Sequence, residues 1–308
     1  MRKQKLTIMV GLSGSGRNDV ARVIAKEQNA ELVSFAQIYQ EKFVIPNKST
    51  IPGIMPQENK RENQKLTQPE MEEAVWLEFC KKIRLTLEQK KNVVADAPNI
   101  AMKDRRRILQ RIKGLDITRQ CQIVPCEYDI CLKVIKEKAI PESEVKNQLY
   151  RFEIPFKEEG FDEIKISETW PIEHPDWDIF LNFDQKNPHH TFSLYDHCRY
   201  ACKSFMEKGY GPQWIFGALL HDYGKLFTQT CGNDGIAHYY SHHNVGAYHV
   251  LCMCPVESSL DSIFLVNYHM FAFEWDKNEK AKKKWKQRFG EEKFNMLLNF
   301  HESDLVAR

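Results

Sequence analysis

Two regimes of apolar spacing divide the chain. In the first, short apolar runs alternate with segments of helical period. Lys5 to Val10 reads as a β-branched and apolar strand, Asp19 to Lys26 as a helix, Glu31 to Phe35 as a second strand, Glu70 to Lys90 as an amphipathic helix, and Asn92 to Asp96 as a buried strand ending in an acid. Strands alternating with helices in this way predict an α/β fold with a parallel sheet. Ile45 to Gln64, rich in Pro, Asn, Lys and Gln, reads as an exposed loop. In the second regime the period is helical throughout, over Ser193 to Glu207, Gln213 to Tyr223, His242 to Met253, Ser259 to Tyr268 and Glu291 to Val306, with no strand pattern. An all-α bundle is the economical reading. Between the regimes, Glu168 to Asp178 carries two prolines among turn formers, which sets the expected domains at 1–167 and 187–308 with a linker over 168–186.

Composition narrows the partners. At 308 residues the chain suits two domains, each with its own core. Its 44 Lys and Arg against 42 Asp and Glu leave a net charge of +2, so there is no global basic field, and any contact with nucleic acid must come from local runs. Two such runs exist: Lys103 to Arg107 with Arg111 and Lys113, and Lys277 to Arg288. Each reads either as a solvated helix face or as a surface for phosphate contacts. The charged start runs straight into glycines without a signal-peptide pattern, no stretch approaches a membrane span, and nine cysteines lie scattered with no CxxC pair. A cytoplasmic protein with reduced thiols and no membrane partner is expected. Nothing in the sequence names a protein partner.

Near the N-terminus the first strand runs into Gly11, Leu12, Ser13, Gly14, Ser15 and Gly16, followed by Arg17 and Asn18 at the start of a helix. This is the context in which G-x-x-x-x-G-K-S/T cradles phosphates on backbone N–H groups. The glycines match, and the two chemical positions do not. Arg17 offers a wide planar fork for a compact ammonium, and Asn18 an amide oxygen for a magnesium-ligating hydroxyl. These residues form a candidate site for ATP or GTP with magnesium. In a parallel sheet Asp96 falls at the same carboxyl edge, where it either orients that magnesium or caps the helix beginning near Met102.

Asn92-Val-Val-Ala-Asp-Ala-Pro-Asn99, the basic run after it, and RFEIPFKEEGFDEI up to Ile164 resemble the phage-type polynucleotide kinase family of P-loop phosphotransferases, over about Leu6 to Ile166. That resemblance implies a P-loop kinase-like domain with nucleotide and nucleic-acid substrates. It also exposes departures. The acid expected shortly after the second strand is missing from Ser34-Phe35-Ala36-Gln37, and Cys131 to Lys138 supplies only Lys133, Lys136 and Lys138 where lid arginines are expected. A degenerate kinase domain is the result.

Trp214 to Phe227, WIFGALLHDYGKLF, presents a buried helix ending in His221 and Asp222. Alone, the dipeptide is either a metal-binding pair or a hydrogen-bonded cap. Histidine is sparse before Phe180 and frequent after it. The order His197, then His221-Asp222 in LLHDYGK, then Asp304 in DLVA resembles the HD superfamily of metal-dependent phosphohydrolases, from about Asn187 onward. The resemblance implies an ion held by His197, His221, Asp222 and Asp304. It further implies a second ion held by bridging Asp222 with His242 and His269, although Ser241 stands for the usual glycine and His243 for the acid. Mn, Fe, Co, Ni or Mg suits such imidazole and carboxylate ligands, and the lack of cysteine argues against a structural zinc. His190 is a candidate proton donor or phosphate ligand; Lys225 either touches a substrate phosphate or caps a helix C-terminus.

The expected function is a metal-dependent phosphohydrolase or phosphodiesterase acting on a nucleotide or nucleic-acid phosphate, an RNA end above all. The alternatives are an end-healing enzyme combining 5′-kinase and 2′,3′-phosphoesterase, and a nucleotide-sensing regulator with an inactive kinase fold.

Overall fold

The computed structural model describes residues 3–44, 67–138, 140–168, 177–186, 192–275 and 278–307. The expected loop Ile45 to Gln64 lies outside them. In chain order the first half comprises β1 (Gln4–Val10), α1 (Arg17–Glu27), β2 (Ala30–Ser34), α2 (Phe35–Tyr39), α3 (Gln68–Glu88), β3 (Asn92–Asp96), α4 (Met102–Arg111), β4 (Ile117–Ile123), α5 (Tyr128–Glu137), α6 (Glu142–Tyr150) and β5 (Glu163–Ile166). The five strands form one parallel sheet in the order β2-β3-β1-β4-β5. Ile8 of central β1 pairs with Ala95 on one side and Cys121 on the other. Leu6 to Val10 is buried throughout, as a strand covered on both faces requires. The turns after β1 and β3 meet at the carboxyl edge, where the Gly11 N–H donates to the Pro98 carbonyl at 3.1 Å.

The second half is helical: α7 (Trp177–Asn182), α8 (Leu194–Glu207), α9 (Pro212–Leu219), α10 (Lys225–Thr228), α11 (His242–Met253), α12 (Leu260–Tyr268), α13 (Ala272–Trp275) and α14 (Glu279–Val306). Two expectations are corrected here. A hairpin of β6 (Thr230–Cys231) and β7 (Ala237–His238) interrupts the helices, its strands too short for any alternation to show in sequence. The helix expected to run to Tyr223 stops at Leu219, so His221 and Asp222 stand in the tight turn before α10. Gly224 in that turn packs against α11, where a Cβ would collide with the His242 carbonyl.

On the α1 face of the sheet the core is a small cluster of Met9, Ala21, Ala25, Val94 and Val124. On the other face one apolar cluster continues from the sheet into the helical half. The seam is Phe152 to Phe156, a stretch without regular structure. Phe156 packs edge-on against Phe264, Tyr268 and Phe289. The backbone polar groups of this stretch need partners, and fully buried Asn267 supplies them, accepting from Ile154 N–H at 2.6 Å and donating to the Phe152 carbonyl at 3.1 Å. Among the described residues no helix is long and apolar enough to cross a membrane.

Candidate metal centre and phosphate loop

Five elements aim side chains into one buried cluster. His197 comes from α8, His221 and Asp222 from the turn after α9, His242 from the first position of α11, His269 from just past α12, and Asp304 from the end of α14. The ligand atoms of His197, His221 and Asp304 lie within 4.8 Å of one another, and so do those of Asp222, His242 and His269. Asp222 joins the two groups: Oδ2 is 3.4 Å from His197 Nε2, and Oδ1 is 3.1 Å from His242 Nε2 and 3.5 Å from His269 Nε2. Asp304 Oδ1 stands 3.1 Å from His197 Nε2 and 3.4 Å from His221 Nε2.

All four imidazoles are held in the same way. His197 Nδ1 lies 2.9 Å from the Ala307 carbonyl, His221 Nδ1 2.9 Å from Ala218, His242 Nδ1 2.8 Å from Tyr239 and His269 Nδ1 2.8 Å from Val266. A carbonyl only accepts, so each Nδ1 is the protonated nitrogen in these contacts, and a neutral ring then offers its Nε2 lone pair. Those nitrogens face each other, His197 to His221 at 3.2 Å and His242 to His269 at 3.3 Å. Two lone pairs at that distance repel unless a cation, proton or metal, shares them. Backbone-anchored Nδ1 groups with converging Nε2 atoms are how metal-ligating histidines are oriented.

The electrostatics agree. Burial alone would lower the His197 pKa, but the Asp222 and Asp304 carboxylates outweigh it and hold it at about 10. His221 is likewise held well above its ordinary value against its burial. Burial opposes ionisation of Asp222 and Asp304, yet Lys225 and the histidines around Asp222, and the histidines around Asp304, keep both carboxyls well below the usual range. His269 is pushed down to about 4 and His243 to about 3, chiefly by burial. The His197 and His221 half of the cluster therefore fits positive charge, and a divalent ion there would displace the protons that otherwise supply it, while His269 already presents a neutral ring.

Lys225 opens α10, so the C-terminal-cap reading does not hold. Its Nζ lies 2.6 Å from Asp222 Oδ2 and 3.0 Å from Gln185 Oε1, and 5.3 Å from the Tyr239 ring centre. Gln185 and Tyr239 carry no local signal that would single them out in sequence; the fold alone brings them to the lysine. His190 lies outside the described residues. His238 sits exposed on the hairpin.

At the other candidate site, Gly11, Ser13, Gly14, Ser15, Gly16, Arg17, Asn18 and Asp96 all gather at the carboxyl edge of the sheet. Asp96 caps no helix; buried Arg17 takes it up, with Nε 2.8 Å from Oδ1, while Nη1 donates to the Gly11 carbonyl at 2.7 Å and Nη2 to Asn18 Oδ1 at 3.1 Å. The cation expected to face phosphate and the carboxylate expected to face magnesium thus neutralise each other. The Ser13 N–H donates to Gln148 Oε1 of α6 at 2.8 Å, and Gly14, at φ 91°, backs onto Cys131 of α5 with no room for a Cβ. A cavity of about 220 Å³ beside the loop is lined by Ser15, Val20, Val124, Glu127, Glu168 and Cys252.

A phosphate loop on a five-stranded parallel sheet defines the first half as a P-loop kinase-like domain. Residues 6–155, just under half of the chain, match the AAA domain family. No curated protein matches the sequence. Similar solved structures include a chain of the Pnkp1/Rnl/Hen1 RNA repair complex, 18% identical over 48% of this chain and 43% of that one, with a TM-score of 0.37. A putative kinase from Chloroflexus aurantiacus is 12% identical over 54% and 86%, with a TM-score of 0.39, and a fungal RNA kinase 16% identical over 58% and 86%, at 0.35. The present chain spans less than half the length of the RNA-repair-complex chain it matches.

Proposed function

We propose that this chain is a metal-dependent phosphohydrolase or phosphodiesterase whose active centre is the His and Asp cluster of the helical half. Its substrate is a phosphate ester on a nucleotide or a nucleic-acid end, an RNA end above all. The observation that carries this reading is the common anchoring of four imidazoles, whose Nε2 atoms converge in two pairs on either side of Asp222. His197, His221, Asp304 and Asp222 Oδ2 would hold one divalent ion, and Asp222 Oδ1, His242 and His269 a second. Such ions supply a nucleophile from water near neutral pH and absorb charge developing on phosphate oxygens. Lys225, whose Nζ lies 2.6 Å from Asp222 Oδ2, would orient that carboxylate and lend positive charge for a substrate phosphate. His190 remains the candidate proton donor to the leaving oxygen.

The pairing of Arg17 with Asp96 supports a kinase-like half that binds nucleotide or nucleic acid without efficient transfer, and it weighs against the end-healing alternative. The test is metal content together with phosphate release from a panel of nucleotides, cyclic dinucleotides and 2′,3′-cyclic-phosphate RNA in the presence of Mn, Fe, Co, Ni or Mg. His221→Ala and Asp222→Ala should each lose at least about a hundredfold in activity, with metal content lowered. Undiminished hydrolysis in both variants would sink the assignment.

A further inference from the structure

The two basic runs that lie far apart in sequence meet across one cleft of about 490 Å³. From the first run, α4 and the turn after it present Arg106, Gln110 and Lys113, spaced three and four residues apart on one helical face. From the second, α14 presents Lys284, Gln287 and Arg288 just before Gly290, whose φ of 76° breaks the helix and sets the basic arm at its own angle. Arg119 of β4 also lines the cleft. The other arginines of the first run are committed elsewhere. Arg105 is fully buried and forks onto Glu159 at 2.6 and 2.9 Å, and Arg107 pairs with Glu73 at 2.6 Å.

The charges in the cleft are unbalanced. Its two acids are taken, Glu159 by Arg105 and Glu158 by Lys293 at 3.2 Å. Among the described residues Arg106, Lys113, Arg119, Lys284 and Arg288 form no ion pair. Burial, and next the neighbouring Arg106 charge, hold Arg288 below the ordinary arginine range, outweighing the attraction of the Glu153 carboxylate. Two of these cations are fixed in advance, since Arg288 Cζ lies 4.9 Å and Lys284 Nζ 5.6 Å from the centre of the Trp285 ring. Like charges held together with no ion pair among the described residues are relieved by an anion.

We propose that this cleft binds the phosphodiester backbone of a single-stranded nucleic acid at the seam between the two halves. The lining is cationic, with two glutamines and no deep enclosure, which suits backbone phosphates and not a small metabolite that needs burial on most sides. A cleft with cations on both of its helical walls suits a single strand whose backbone is contacted from two sides. Binding there needs no chemistry at the His and Asp cluster, so it is measured apart from hydrolysis.

The test is fluorescence anisotropy of the full chain with a short labelled single-stranded RNA across a salt series. The double variant Arg106→Glu with Arg288→Glu should weaken binding by at least about tenfold and reduce the salt slope by about 1 to 2. Its hydrolysis of a mononucleotide should be unchanged, which also shows that it is folded. Arg106→Lys with Arg288→Lys keeps the charge and should retain most of the affinity. Wild-type affinity and slope in the charge-reversed variant overturn the proposal. So does displacement of the RNA by an acidic peptide or by tripolyphosphate at equal charge concentration, the first pointing to a protein partner and the second to a short polyphosphate.

Discussion

Arg17 is the residue whose contacts depart furthest from those of a phosphate-binding lysine. A lysine in its place would extend toward phosphate as a point charge, whereas the guanidinium has three separate acceptors within reach at Asp96, Gly11 and Asn18. Freeing it means leaving Asp96 buried and uncompensated. Arg17→Lys with Asn18→Ser restores the familiar residues of the loop, but Ala36 and Gln37 still offer no base and Gln148 still caps the Ser13 amide. The expected result is nucleotide binding no weaker than wild type and no transfer to 5′-hydroxyl RNA or DNA, checked with labelled γ-phosphate. Clear transfer by the double variant would show that positions 17 and 18 alone had silenced the domain.

His249 carries a prediction of a different kind. It stacks on Phe227 with ring centres 3.8 Å apart, and burial lowers its pKa from 6.5 to about 4. Folding therefore favours the neutral ring. The contribution is complete above about pH 6.5 and is lost as pH falls toward 4, because the unfolded chain then binds the proton more readily. After discounting for partial exposure, the loss across that window is roughly 2 kcal/mol. His249→Phe keeps the stack and removes the titration, so its urea midpoint should fall less between pH 7 and pH 4.5 than that of wild type. Equal acid sensitivity would assign the effect to other groups.

At the scale of elements, strands β1 and β3 were legible as short apolar runs, and helices α3 and α8 by the helical spacing of their apolar residues, because each signal lies within the element's own residues. His221 and Asp222 stood out because a buried imidazole and carboxylate need partners, whereas His197, His242, His269 and Asp304 were pointed to by the resemblance to the HD superfamily alone. What was not legible includes contacts distant in sequence, the Arg17 and Asp96 pairing across 79 residues and the Gln148 cap across 135, and the end of α9 at Leu219, two residues before His221. The seam is of the same kind. Phe152 to Phe156 lies within the motif RFEIPFKEEGFDEI, yet nothing in that motif indicates that its backbone is completed by Asn267, more than a hundred residues on. Asn267→Leu keeps the volume and orphans a buried N–H and a buried carbonyl. A destabilisation of about 2 to 4 kcal/mol is expected from denaturant unfolding. A change under about 0.5 kcal/mol would mean that the seam finds other partners.

For the whole molecule, the continuity of the core matters more than the change of fold class at its middle. One apolar cluster runs from the sheet through Phe152 and Phe156 into Tyr248, Phe264 and Phe289, and polar bonds such as Tyr248 Oη to the Cys126 carbonyl at 2.7 Å cross the same boundary. Two halves that share a core unfold together unless the energy of the seam is small against that of each half. A divalent ion that binds only the folded cluster stabilises the folded state by about 2.7 kcal/mol at a hundred times its dissociation constant. With separate cores that gain would stay in the helical half. With one core it raises the midpoint of the whole chain, including the phosphate loop, which lies outside the metal cluster. Thermal unfolding followed by hydrogen exchange should therefore show Leu6–Val10 and His242–Met253 opening in one transition, with both shifting upward by the same amount when Mn²⁺ is added. Asn267→Leu should weaken that coupling, so that the metal protects His242–Met253 more than Leu6–Val10. Two transitions in the wild type, of which only the helical one responds to metal, would mean that the shared core packs the halves together without making them one cooperative unit.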